Sequence, residues 1–232
     1  MLSREIIHYP FDGSCGRSYN SFARRGTSGF PGVPFSLKRG AKVERAKRVR
    51  RSRRKKEVEE MLGCILLYVG MVLISNGLAN LEEIKGKSMA VMNLFTGGLS
   101  LILNIVALSW GIISDKPADW FYASATGLLF AFTYLYTAIN TIFDLDQRLY
   151  GWYSLFVAIN SVPAGILCFF GYGGNRIYGI IWWAWGVLWL TGFLSNNLGM
   201  KIRKFSGWLS VIEGIVTAWI PGLLMLVGRW PA

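Results

Sequence analysis

The sequence predicts an all-α membrane protein with six transmembrane helices arranged as three hairpins. Three observations predict it. Hydrophobic residues make up 53% of the 232 positions and mean hydropathy is +0.37, which few soluble domains match. Six apolar runs, each near the ~20 residues a spanning helix needs, follow one another from Met61 onward. The links between them are short and polar, so neighbouring helices run antiparallel.

The net charge of +12 is unevenly spread. Residues 1–60 carry 16 Lys and Arg against 6 acids, whereas 61–232 carry 9 against 7. The chain is therefore a basic tail followed by a nearly neutral apolar domain. The tail shows no sustained apolar period, and Ser28 to Pro34 is turn chemistry. The run from Lys38 to Lys56 is helix-competent through Ala41–Lys56. Such runs are solvated or disordered, or they bind anionic lipid or nucleic acid. No nucleic-acid partner is expected here. Lys56-Glu57-Val58 is encodable as a bacterial ribosome-binding site, so Met61 is the expected start and 1–60 an upstream extension.

The spans are expected at about 62–79, 88–113, 120–143, 150–170, 177–198 and 206–228. They must be helical, because lipid offers backbone N–H and C=O groups no partner. Lys85, Lys87, Arg148, Lys201, Arg203 and Lys204 lie on the odd links; Lys116, Arg176 and Arg229 lie on the even links and C-terminus. This bias puts the odd links in the cytoplasm and both ends of 61–232 outside. Pro163 and Pro221 are expected to kink spans four and six. Gly97, Gly98 and Gly127 are expected at close helix contacts.

Three helix faces and one acid stand out. In span five, Tyr178, Trp182, Trp185, Trp189 and Phe193 fall in one stripe, with Trp185 and Trp189 near mid-membrane. Trp normally sits at the membrane interface, so this stripe faces either a packed neighbour or a narrow pore for a flat polar solute. In span one, Leu62, Leu66, Val69, Leu73 and Asn76 share a face. In span three, Phe132, Tyr136 and Asn140 do. Either pattern serves packing as well as pore lining. Glu213 is the acid clearly inside a span, where it forms a structural hydrogen bond or faces water.

No nucleophile–base pair, metal-ligand cluster or phosphate loop occurs, so neither an enzyme nor a cofactor is expected. Cys15, Cys64 and Cys168 form no metal-like spacing, and the lone histidine is His8, in the tail. Membrane-embedded charge rows of the kind pumps need are missing, as are filter rings. A passive path for an uncharged solute remains.

The runs Leu66-Leu67-Tyr68-Val69-Gly70-Met71-Val72-Leu73-Ile74-Ser75-Asn76-Gly77 and Thr126 to Tyr136 resemble the UreI/AmiS family of urea and amide channels. So do Trp152 to Asn160, Ala184 to Thr191 and Ile212 to Pro221. The likeness covers Met61–Trp230, and family members begin Met-Leu-Gly as at Met61. It implies a homohexamer with one pore per protomer, conducting urea or short aliphatic amides across the bacterial cytoplasmic membrane to an intracellular urease or amidase. It implies pore residues Leu62, Leu66, Val69, Leu73, Phe132, Tyr136, Trp182, Trp185, Leu188, Trp189 and Glu213. Indole N–H and phenol O–H groups are then expected to address the urea carbonyl, and Glu213 its amide N–H groups. Acid-gated members carry long outer loops rich in histidine. Here the matching links, 114–119 and 171–176, are short and lack histidine, so histidine-type acid activation is not expected. The competing reading is a membrane scaffold that recruits urease without conduction.

Overall fold

A computed structural model describes the backbone of residues 35–231, and the side chains of all of these except 35–41, 51, 54 and 55. The tail as far as residue 34, with His8, Cys15 and the turn-rich 28–34 segment, lies outside the described residues. Two units are distinguished, Met1–Arg45 and Ala46–Ala232. In the first, the described residues are helical from Phe35.

The second unit is built from the part of α1 (Phe35–Leu81) that follows Arg45, α2 (Gly86–Ile113), α3 (Ala118–Phe143), α4 (Arg148–Phe169), α5 (Arg176–Asn196), α6 (Arg203–Glu213) and α7 (Ile220–Leu226). A π-helical segment, Gly214–Trp219, joins α6 to α7. Among the described residues there is no strand, and six helices are long and apolar enough to cross a membrane, α6–α7 counting as one. The links stay short because residues in unusual conformations end the helices abruptly. Asp144 stops α3 in the left-handed region at φ 55°, and Gly171 and Gly173 turn the chain before α5 at φ 76° and 77°. Asn175 then caps α5 by accepting from the Tyr178 N–H at 2.9 Å.

The helices associate as three pairs: α2 with α3, α4 with α5, and α1 with α6–α7. Two are hairpins of sequence neighbours, and the third joins the two ends of the domain. Small residues let the α1 pair come close, as membrane helices require. Gly63, Gly70 and Gly77 recur every seven residues along α1. They face Gly222, Gly214 and Gly207 in antiparallel order. A Cβ on Gly77 would lie 2.6 Å from the Gly207 carbonyl oxygen; one on Gly214 would lie 2.9 Å from that of Gly70; one on Gly63 would lie 3.0 Å from that of Gly222.

The second row is not evenly spaced, since seven residues separate Gly207 from Gly214 and eight separate Gly214 from Gly222. The π segment lies in that longer interval. Its i→i+5 bonding takes up one residue more per turn than an α-helix, which keeps all three glycines on the α1 face. Pro221 follows two residues after its end. It lacks an N–H and its ring crowds the carbonyl four residues back, so it favours the looser turn before it. At Pro163, by contrast, α4 continues without interruption.

Candidate functional site

Two cavities enter the second unit. The larger, ≈ 500 Å³, is bordered by residues of the odd links, including Gln147, Met200, Lys201 and Arg203. The smaller, ≈ 160 Å³, is bordered by residues of the even links and C-terminus, including Asp119, Gly173, Asn175 and Trp230. Beside it Lys116 pairs with Glu57 at 2.9 Å and sits 4.5 Å over the Trp120 ring.

The helices connect the two cavities. On α1, Leu62 lines the small cavity and Leu73 the large one. Leu66 and Val69 lie between and are fully buried. On α5, Tyr178 lines the small cavity, while Trp185, Leu188 and Trp189 line the large one. Trp182 lies between, 3% exposed. Seven residues of α-helix, Tyr178 to Trp185, span about 10 Å. The barrier between the cavities is therefore a short plug of uncharged side chains.

The plug is a cluster of aromatic rings. Trp182 and Trp189 lie 6.3 Å apart with planes 27° from parallel, and Trp185 stands edge-on to Trp182 at 5.5 Å. Phe130 on α3 touches all three, at 5.7 Å, 4.8 Å and 5.0 Å. Edge-to-face and offset pairs are the favoured geometries for such rings. Tyr134, one turn after Phe130, is buried and lines the large cavity beside Thr133 and Thr137.

Thus the structure places Leu62, Leu66, Val69, Leu73, Trp182, Trp185, Leu188 and Trp189 along the two cavities and the buried stretch between them. It does not bring Phe132 there. Phe132 is 46% exposed on the outer face of α3. Tyr136 is half-buried and packs on Tyr150 and Tyr153 of α4, at 5.5 Å and 6.0 Å. The physical reason is a phase error of two residues. Positions 130 and 132 lie about 200° apart around a helix, and α3 has Phe at both. The inward stripe is Phe130, Tyr134 and Thr137. Thr133, Thr137 and Thr141, spaced by four and all lining the large cavity, were the available signal: a row of hydroxyls on a membrane helix marks the wet face.

Glu213 ends α6 just before the π segment and is 4% exposed. Its Oε2 has no hydrogen-bond partner among the described residues. It shares a helix face with Ser210, which lines the large cavity and donates to the Leu73 carbonyl at 2.8 Å. Thr217, four residues on, is on the same face and bonds Trp185.

The indole groups are used differently from the expectation. Trp185 Nε1 donates to Thr217 Oγ1 at 2.8 Å, and Trp189 Nε1 donates to Thr133 Oγ1 at 3.1 Å. Both N–H groups are bonded within the protein. That Thr133 and Thr217 bond these tryptophans was not apparent from sequence, because the partners lie 56 and 32 residues away. Among the described residues no group of three or more His, Cys, Asp and Glu is placed to hold a metal ion.

A sequence profile described as "AmiS/UreI family transporter" matches residues 61–229. The acid-activated urea channel of Helicobacter pylori strain 26695 is 49% identical over 194 residues, covering 73% of this chain and all of the relative. A protein of Mycolicibacterium smegmatis described as a putative amidate substrates transporter protein is 37% identical over 171 residues, covering 73% of this chain and 78% of the relative. The crystal structure of the Helicobacter pylori urea channel superposes with a TM-score of 0.68 at 52% identity, covering 73% of this chain and 99% of that one.

Proposed function

The chain belongs to the AmiS/UreI family of transporters, and from that premise we propose that it is a passive channel for urea and short aliphatic amides. The observation that carries this reading is the pair of cavities reaching toward each other from opposite ends, parted by an uncharged plug of Leu66, Val69, Phe130, Trp182, Trp185 and Trp189. Urea is flat and neutral, and it loses little on leaving water for a slot of ring faces beside a few hydroxyls. A hydrated ion loses its shell there and gains no ligands in return. Leu62 and Leu73 form the two ends of the α1 side of this path, Leu188 and Tyr134 widen its inner end, and Glu213 accepts amide N–H groups beside it. A scaffold without conduction would need neither cavity.

The channel sits in the bacterial cytoplasmic membrane with the odd links and the large cavity on the cytoplasmic side, and both ends of 61–232 outside. The Lys and Arg bias of the links supports this orientation. It works as a homohexamer in lipid, one pore per protomer, and feeds a cytosolic urease or amidase. The domain begins at Met61, which is also where the family profile begins. Stopped-flow uptake of urea and acetamide into proteoliposomes tests the reading: both enter faster than into protein-free vesicles, with no dependence on an ion gradient.

The channel conducts at neutral pH. The 194 aligned residues of the Helicobacter relative exceed the stretch of this chain they match, so that protein carries insertions absent here. The links on the small-cavity side are short, and no histidine occurs in 61–232.

A further inference from the structure

Two threonines outside the ring cluster repeat one arrangement. Thr217 Oγ1 donates to the Glu213 carbonyl at 2.6 Å and accepts from Trp185 Nε1 at 2.8 Å. Thr133 Oγ1 donates to the Leu129 carbonyl at 2.7 Å and accepts from Trp189 Nε1 at 3.1 Å. In each case the hydroxyl hydrogen is spent on the carbonyl four residues back in its own helix. That fixes the rotor and aims a lone pair at the indole. The two tethers come from different helices, Thr217 from the π segment and Thr133 from α3.

We infer that Thr133 and Thr217 are positioning residues that hold the Trp189 and Trp185 indole N–H groups out of the passage, so that a crossing solute meets the faces of these two rings and not their donors. The inference rests on the conduction reading above. Its physical basis is the conflict every channel meets: a solute must enter readily and must also leave. In a dry slot an indole N–H pointing inward would bond the carbonyl of urea or an amide and detain it, because such bonds strengthen away from water. A tether removes that donor without leaving it buried and unpaired, which would itself be costly. It also fixes the ring planes, since an indole bonded at Nε1 and packed on Phe130 has no free rotation.

The test uses the full chain in proteoliposomes and measures urea uptake against urea concentration. Thr133→Val and Thr217→Val keep the side-chain shape and delete the hydroxyl. Each is expected to lower maximal uptake by about five-fold or more and to bring saturation at lower urea, the signature of a newly exposed donor. Thr133→Ser and Thr217→Ser keep the hydroxyl and are expected to restore the wild-type curve. Hydrogen exchange of the indole N–H groups gives a readout independent of transport. The Trp185 and Trp189 indole protons are expected to exchange slowly in the wild type, one of the two lost in each Val variant and both kept in the Ser variants, while the buried Trp120 indole, bonded to the Ala107 carbonyl at 2.7 Å, stays protected throughout as an internal reference. Val variants with unchanged curves and unchanged exchange overturn the inference, as does free exchange of both indoles in the wild type. If the Val variants do not fold, the wild-type exchange alone decides. A wild-type protein that passes no urea removes the conduction reading, while exchange still judges the tethers.

Discussion

Phe130 and Trp185 meet edge to face, 4.8 Å between ring centroids with planes 81° apart. This contact joins α3 to α5 at the wall of the large cavity. Among the described residues Phe130 is the one ring that touches all three plug tryptophans. Phe132, two residues on, faces outward. The pair gives a sharp comparison. Phe130→Ala should open the plug, changing urea permeability by several-fold and admitting larger amides. Phe132→Ala should leave the permeability ratio of urea to larger amides unchanged. Equal effects from both substitutions would contradict the assignment.

Much of this site was legible in the sequence, and the limit was set by phase. The α5 stripe is readable because Trp182, Trp185 and Trp189 are costly, unusual residues at that depth, and Trp183, the one tryptophan out of phase, is 40% exposed. On α3 both faces are apolar, since one meets lipid and the other the plug. Hydropathy therefore does not choose between Phe130 and Phe132, and the threonine row does. The six crossings were readable from length alone. The closure of α1 against α6–α7 was not, because it depends on matching glycine spacings more than a hundred residues apart and on an extra residue absorbed by a π turn.

That closure yields a stability prediction. A methyl group on Gly70 would sit 2.6 Å from Trp219 Cβ and 2.7 Å from its backbone nitrogen. Backbone does not yield, so Gly70→Ala should destabilise the protein by about 1–3 kcal/mol. Gly98 has nothing within 4 Å of the same methyl position, so Gly98→Ala should change stability by no more than about 1 kcal/mol. Thermal unfolding in detergent distinguishes the two. A Gly70→Ala protein as stable as wild type would show that the helices are not in contact there.

The π segment makes a separate prediction. Deleting Val216, which is exposed, restores seven-residue spacing between Gly214 and Gly222. It should convert the turn to α-helix and rotate Thr217 away from Trp185. Trp185 fluorescence and urea uptake should both change, whereas Val216→Ala should alter neither. A deletion variant with wild-type uptake would remove the spacing argument.

Outside the membrane, Asp146 is held by Arg148. The guanidinium Nε lies 3.1 Å and 3.0 Å from its two carboxylate oxygens, and the Arg148 backbone N–H donates at 2.9 Å. The Arg148 side-chain hydrogen bonds, with the backbone bond behind them, lower the Asp146 carboxyl to about 2. A depressed acid contributes stability above its unfolded value and loses it as pH falls through the folded one. The α3–α4 link should therefore keep this pair from neutral pH down to about pH 4 and lose it toward pH 2. Carboxyl-carbon NMR should give a midpoint well below the usual ~3.9 of an aspartate. An ordinary midpoint would mean the pair does not form in solution.

Acid response is a point on which this chain is expected to differ from the acid-activated urea channel of Helicobacter pylori. With no histidine in 61–232, urea uptake should change by less than about two-fold between pH 7 and pH 5. A several-fold rise on acidification would point to a switch built from other groups.

The most direct measurement of the central claim is urea influx at pH 7 into vesicles carrying the wild-type chain or Leu66→Trp. Leu66 is 1% exposed, midway between the two cavities. An added indole there should block the path while the outer surface stays unchanged. The account predicts rapid, gradient-independent influx through the wild type and influx near the protein-free rate through a Leu66→Trp protein of native helicity. Influx through a folded Leu66→Trp protein equal to wild type would mean that solute does not cross between α1 and the α5 tryptophans.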